Sequence, residues 1–527
     1  MAYTPTPFPI PTVPPEFTAA SAPEQSRKFA AQLYQDFFNF PIIQARNILE
    51  TTSAEDWERA GQKMALEVFH AAAERVPAYK DFLRKNKIDP EKIQTIETFK
   101  EVPATDKKDY IKNYSLEDLS WDGNFHRSEI AAVSSGSTGK AFLWPRETRL
   151  EIEATYFFEL VLDSFFAISQ YKTLIVDCFA MGMYVGGPFF LNATLRTAQK
   201  GYPATVVTPG NVMDDIIRVV QEFSPYFEQI ILSGYPPFLK DVIENGEDAG
   251  IEWSKYRTII FPAGEGFSES WRAAVAKIAG ITNPQTNFLS YYGTADAAVL
   301  GVETPWSVAV RQAISTDNGS VKKVFGQSRL PSFMQYLPTM RYFECVNNDL
   351  HFTTASGAIP LIRYNIGDDG GIKTPDEVAA IAHEVGLDIT KKFPSAWQLP
   401  YVYVFGRSDH TAILYGANIY PENIKSALET GNIANKCTGR FIMETEEDHH
   451  HNQHLSIHVE CAKGVRLTNQ LRRRVATTIT LVLEEINAEY ANTAKAVGER
   501  ALPHIFLHNY GDERYFPRTK QKQKWKN

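Results

Sequence analysis

From residue 172 onward the apolar positions adopt a regular rhythm. KTLIVD (residues 172–177), ATVVT (204–208), QIILS (229–233), RTIIFP (257–262) and TNFLSYY (286–292) are short, continuously apolar and rich in β-branched residues. Between them lie stretches whose apolar residues recur at helical spacing. Strands apolar on both sides, separated by helices, predict a parallel sheet covered on both faces. Asn211 is placed to cap a helix that buries Ile216, Val219, Val220 and Phe223, and Ser268 to cap one carrying Trp271, Val275 and Ile278. In such sheets ligands sit beyond the carboxyl ends of the strands.

The flanking regions read differently. Six prolines among the first sixteen residues forbid regular helix or central strand, which predicts an extended arm over residues 1–25. Residues 26–50 and 54–74 carry apolar positions at helical spacing, and Ser53 with Asp56 supplies an N-cap for the second helix. VPAYKDFL (76–83) and VPATDKKDYI (102–111) read as short turns. Past residue 350 the pattern turns to β hairpins, and PLIRYNIGD (360–368) reads as a strand ending in a Gly-Asp turn. A short polar junction at residues 406–409 precedes a fresh strand-and-helix pattern, so a boundary is expected there. The predicted organisation is α/β: a large N-terminal domain, residues 26–408, with parallel sheets flanked by helices plus β hairpins, then a small mobile α+β C-terminal domain, residues 409–527.

Length supports more than one domain, since 527 residues exceed the size at which one hydrophobic core stops growing. A net charge of -8 spread along such a chain argues against nucleic acid as a partner. Cys178, Cys345, Cys437 and Cys461 lie far apart with no CxxC pair, which suggests neither a zinc site nor a disulfide framework and suits a reducing cytoplasm. The first 24 residues lack the apolar segment of a secretory signal. The most apolar window, residues 173–195, contains Asp177, Gly182, Gly186, Gly187 and Pro188, which fits a buried strand and loop better than a membrane span. A soluble cytoplasmic protein without a membrane partner is expected.

Candidate chemistry concentrates where glycine interrupts these patterns. In AAVSSGSTGKAFLW (131–144), Ser134, Ser135, Gly136, Ser137, Thr138, Gly139 and Lys140 put hydroxyls, backbone N–H donors and a cation into one turn. That turn is either a phosphate cradle or a plain Ser/Gly hairpin tip. AGEG (263–266) follows the fourth expected strand, and YYGTAD (291–296) lies at the tip of the fifth. Tyrosine beside glycine offers a flat ring for a base to stack on, and Asp296 an oxygen for Mg²⁺. A carboxylate at the bend of Asp368 suits two adjacent ribose hydroxyls. HHHNQH (449–454) reads as a solvated hairpin tip between two strands. Lys520, Lys522, Lys524 and Lys526 crowd the C-terminus behind Pro517, as a solubilising tail or as a strap that brings one lysine to a site.

Order and spacing then weigh more than any one motif. SSGSTGK at 134, GEG at 264, YYGTAD at 291, PLIRYNIGD at 360, GRSD at 406, GANIYPENIKSALE at 416 and PRTKQK at 517 together resemble the adenylate-forming acyl-CoA ligases, in particular the phenylacetate-CoA ligase branch. The resemblance runs from about residue 65 to the C-terminus. It implies that a carboxylic acid and ATP, with Mg²⁺, give an acyl adenylate, after which a thiol, usually coenzyme A, displaces AMP. By motif position, Ser134 to Lys140 hold the β- and γ-phosphates, Gly264, Glu265, Gly266, Tyr291, Gly293 and Thr294 line the nucleotide pocket, and Tyr292 stacks on adenine. Asp368 and Arg407 bind ribose, Lys522 bridges carboxylate and α-phosphate with Lys140 as the lesser catalytic lysine, and Asp409 is the hinge. Tyr235, Pro236, Phe261 and Ala263, with Tyr291 beside them, wall the acid pocket, whose aromatic and small residues suit a flat or apolar acid. Residues 297–336 form a long segment placed to remodel or cover that pocket.

Departures from the family pattern keep other readings open. Ala295 stands where a threonine is usual, Asp296 where a glutamate is, and Gln521 where a glycine is. An enzyme that passes acyl or AMP to a carrier protein, amine or other acceptor, and a non-catalytic nucleotide-binding homologue, are the alternatives. A homodimer is left open.

Overall fold

The computed structural model describes residues 5–17, 22–125, 128–133, 142–182, 185–264, 266–316, 318–407, 412–414, 417–447, 453–487, 490–491, 494–495 and 498–516. Four of the expected strands form one parallel sheet in the order Ala204–Val207, Thr173–Asp177, Gln229–Ser233, Arg257–Ile260. Every residue of the two central strands is buried, as their unbroken apolar runs require. Leu174, Val176, Ile230 and Leu232 pack with Val242, Ile243 and Trp271 on one face. Ile175, Ile231 and Ile259 pack with Phe158 and Phe190 on the other. Ser268 caps the Glu269–Ile278 helix by accepting from the Trp271 N–H. The helix Met213–Phe223 instead begins behind Val212, not Asn211, without a side-chain cap bond, and it leaves Phe223 exposed.

The expected fifth strand does not join this sheet. Pro284 opens a helical turn, Pro284–Asn287, and Tyr291–Thr294 pairs antiparallel with Ala298–Val302 at the edge of a second sheet. Buried Glu303 diverts the chain: its carboxylate accepts from the Ser290 N–H at 2.8 Å and its own N–H donates to the Ser290 carbonyl at 2.7 Å. Single bridges, Ile260 to Phe288 and Ala263 to Tyr291, and a bond from Arg257 to the Asn287 side chain at 3.2 Å tie the segment to the parallel sheet. The second sheet runs Tyr342–Val346, Asp349–Thr354, Leu361–Lys373, Tyr401–Arg407, Ser332–Gln335, Ala298–Val302, Tyr291–Thr294, with Thr105–Asp106 added beside Leu361–Lys373. Leu361–Lys373 passes through the Gly-Asp pair instead of ending there, because Asp368 and Asp369 stay paired with Arg407 and Gly406.

Three further expectations change. The stretch 26–50 is two helices, Ala22–Asn39 and Ile42–Thr51, since Pro41 lacks an N–H and disfavours helix at Phe40. VPAYKDFL is a helix, Pro77–Lys85, with proline in the first turn where no N–H is needed. Within residues 297–336, the helix Pro305–Ser315 buries Pro305 through Arg311 in the core. The proline-rich arm is strapped down: Phe8 stacks on Tyr156 at 4.9 Å, and Arg75 donates to the Pro14 carbonyl at 2.6 Å.

The C-terminal part has a core of its own. Cys437–Glu447, Gln453–Cys461 and His504–His508 form a three-stranded sheet against the helices Pro421–Leu428 and Asn469–Ile486. Glu447 pairs with Gln453, so HHHNQH spans a hairpin connection, although residues 448–452 lie outside the described ones. None of the described helices is long and apolar enough to cross a membrane.

Candidate functional site

Glycine shapes the backbone where the two sheets meet. Gly264 takes φ +96°, a conformation that side chains disfavour, and turns its open face toward the Tyr235 ring. At Gly293 a Cβ would come within 2.9 Å of the Ala298 carbonyl oxygen, so only glycine lets the Tyr291–Thr294 strand close onto its neighbour. These constraints bring the GEG and YYGTAD motifs to one sheet edge.

Strand alternation then divides the two tyrosines. Tyr292 donates its hydroxyl to the carboxylate of Asp368, which is 5% exposed. Asp368 is the register partner of Arg407, whose backbone alone is described. Tyr291 points the other way, into a ring cluster with Phe261 at 4.7 Å, Phe158 at 5.1 Å and Phe190 at 6.5 Å. Burial raises its phenol, against a hydrogen bond with Ser233. Tyr291 thus lies with the residues expected to wall the acid pocket, not with Tyr292. Phe261 is wholly buried, the Ala263 N–H donates to Gly234 at 3.1 Å, and Pro236 opens the helix Pro236–Asp248 behind Tyr235.

Asp296 is held by a partner that the sequence did not suggest. The Tyr364 hydroxyl donates to it at 2.7 Å, and the Tyr364 ring meets Trp144 edge-on at 6.3 Å. Trp144 belongs to Leu143–Arg146, which pairs antiparallel with Ile130–Val133. The Ser/Gly stretch follows the first of these strands in sequence and precedes the second. Ser134 to Lys140, Glu265, Asp409 and Lys522 themselves lie outside the described residues. Thr294 accepts from the Ala297 N–H at 3.3 Å, and Ala295 packs against an apolar cluster.

Sequence reasoning missed the groups that join the two cores. Lys425 donates to the Gly266 carbonyl at 2.5 Å, and Ser268 donates to Glu429. The Arg329 guanidinium lies over the Tyr420 ring at 3.4 Å and bonds Asp369 at 2.5 Å and Glu422 at 3.3 Å. Burial raises the Glu422 carboxyl, and Arg329 partly offsets it. Lys425 reads in sequence as an ordinary helix lysine, and Arg329 precedes its partner Glu422 by 93 residues. A surface groove of about 980 Å³ near Thr12, Arg59, His70 and Thr95 involves none of the expected residues. Among the described residues no group of three His, Cys, Asp or Glu side chains is arranged to hold a metal ion.

No protein-family model matches the chain. It is similar to a phenylacetate-coenzyme A ligase of Thermus thermophilus, 23% identical over 392 residues that cover 72% of this chain and 77% of the relative. Its structure superposes on 2-hydroxyisobutyryl-CoA ligase in the postadenylation state in complex with 2-HIB-AMP, with a TM-score of 0.65 at 15% identity over 93% of this chain and 94% of that one. An open conformation of the same enzyme in complex with 2-HIB-AMP and CoA gives 0.55 at 15% identity over 93% and 96%. The chain has the fold of the adenylate-forming ligases, as the order of its motifs implied.

Proposed function

We propose that this protein is an AMP-forming ligase that activates a carboxylic acid with ATP and passes the acyl group to coenzyme A. The observation that carries the reading is that the Tyr292 hydroxyl meets Asp368, the register partner of Arg407, while Asp296 just beyond the same strand meets Tyr364 and the Ala263–Tyr291 bridge brings Gly264 alongside. A base can lie on the Tyr292 ring, and a buried carboxylate tied to its hydroxyl can accept from both ribose hydroxyls. The similarity to the Thermus ligase supports the acyl-CoA product.

The roles follow from charge. An acid carboxylate must approach an anionic α-phosphate, so both need neutralising as the new bond forms. Lys522 supplies that charge from the C-terminal strap, with Lys140 as the second cation, while Ser134 to Gly139 hold the outer phosphates. Asp296 offers one carboxylate, which fits Mg²⁺, an ion bound largely through substrate phosphates. Residues 26–408 and 409–527 act as two domains hinged at Asp409, with residues 1–25 as the arm; the separate apolar core beyond residue 412 supports the division. The acid lies among Tyr235, Pro236, Phe261 and Ala263, whose aromatic character favours an aromatic acid.

The test is pyrophosphate release from ATP over a panel of aromatic, aliphatic and amino acids, followed by a search for the acyl thioester when coenzyme A is added. Adenylation without a thioester would move the acceptor to a carrier protein or amine. A second reading, nucleotide binding without catalysis, is favoured by one observation: Ala295 packs into an apolar cluster where the resemblance expects a hydroxyl at the α-phosphate. Nucleotide binding without acid-dependent pyrophosphate release would establish it.

A further inference from the structure

At the carboxyl end of the parallel sheet the described residues use only one oxygen of a buried carboxylate, that of Asp177. Along Thr173–Asp177, Leu174 and Val176 enter one apolar cluster and Ile175 the opposite one, so alternation places Asp177 on the face of Ile175. Ser233 lies on that face with Ile231, and Phe261 with Ile259. The rings of Phe158, Phe179, Phe190 and Tyr291 stand against the same face.

Asp177 is wholly buried there. Its Oδ1 accepts from the Phe179 N–H at 3.1 Å, while Oδ2 has no partner among the described residues. The neighbouring Ser233 hydroxyl donates to the Phe261 carbonyl at 2.7 Å. Burial pushes the Asp177 carboxyl up to about 8 when nothing is bound, and a donor brought to Oδ2 favours the ionised, accepting form. An unsatisfied buried oxygen weakens a fold, and such groups concentrate where a ligand completes them.

We propose that Asp177 is a specificity-determining residue that accepts a hydrogen bond from an amino or hydroxyl group carried by the acid substrate at the end remote from its reacting carboxylate. The inference rests on the ligase reading above. With the acid carboxylate directed to the nucleotide side of Tyr291 and Tyr292, the body of the acid meets Phe261 and its ring neighbours. The far end then meets Asp177. An acid lacking a donor leaves Oδ2 unpaired, and a site built to bond a polar group discriminates strongly against the analogue without it.

The experiment uses the full chain with ATP and Mg²⁺ and compares pyrophosphate release for benzoate, phenylacetate and hexanoate with their amino- and hydroxyl-substituted counterparts. At least one donor-bearing acid is expected to exceed its parent by about 10-fold or more in kcat/KM. Asp177→Ala should bring that ratio to within about twofold of one. Asp177→Asn separates the sources of the donor: it keeps the preference for a hydroxyl and loses it for the ammonium of aminohexanoate. It also serves if the alanine variant fails to fold, with ATP affinity reporting an intact site. Parent acids used as well as every substituted one, or a ratio unchanged in both variants, overturn the proposal while leaving the ligase reading standing. Absence of acid-dependent pyrophosphate release with any acid overturns the ligase reading, and this inference with it.

Discussion

Asp368 shows what one side chain gains from its partners. The Tyr292 hydroxyl holds its carboxylate, and burial leaves little water to compete for the remaining lone pairs. Asp368→Asn keeps the shape and removes the charge, so ATP affinity measured by calorimetry should fall on the order of 10-fold. Unchanged affinity would remove Asp368 from the nucleotide site. This residue was legible in sequence because Gly367 and Asp368 fall in a motif whose order is itself informative. Tyr364 was not, since its bond to Asp296 spans 68 residues and no local pattern encodes it. Tyr291 and Tyr292 share one motif yet part in the fold, because adjacent strand residues face opposite ways, and Tyr291 joins Phe261.

Elements were legible where their own composition decides them, and illegible where a distant group does. Thr173–Asp177 and Gln229–Ser233 are buried along their length, and their apolar runs say so. TNFLSYY has a similar composition yet turns away, because Glu303 captures Ser290 and is itself clamped by Arg272, whose two terminal nitrogens donate to it at 2.7 and 3.0 Å. VPAYKDFL was misread because a proline that ends one helix can equally begin the next. The clamp makes a prediction. Glu303 is 1% exposed, and Glu303→Ala leaves the Arg272 guanidinium buried with less compensation, which should cost about 3–5 kcal/mol of stability in urea unfolding. A loss below about 1 kcal/mol would mean that the strand finds its place without this pair.

At the scale of the whole molecule, ionic contacts between the two cores govern their docking, and none of them was readable in advance because each partner lies in a different part of the chain. Asp241, on the helix Pro236–Asp248, faces Lys240 and Glu244 on its own element and Arg440 and Glu460 across the junction. Burial, reinforced by the two glutamates against the two cations, raises its carboxyl to about 7. Folding therefore favours the protonated form, so the stabilisation is fully present below about pH 4 and is lost as the pH rises through 7. Asp241→Asn stays neutral throughout and should gain on the parent chain progressively from pH 4 to 7, by on the order of 2 kcal/mol at pH 8. Thermal unfolding at pH 4.5 and 8 checks it, and an equal difference at both would place Asp241 in water. Arg329 joins the same junction from the other side, with one carboxylate from each core, Asp369 and Glu422, and the Tyr420 ring beneath its guanidinium. If the chain turns about Asp409 as proposed, Arg329 parts from Glu422 and the carboxylate loses its counter-charge, so this pair weights one arrangement over the other. Arg329→Gln should therefore change the rates of pyrophosphate release and thioester formation by unequal factors, differing by about 3-fold or more, when the two steps are measured separately in rapid-mixing experiments. Equal changes in both would make Arg329 a support of the fold alone, because a residue that biases neither arrangement cannot shift the balance between the half-reactions.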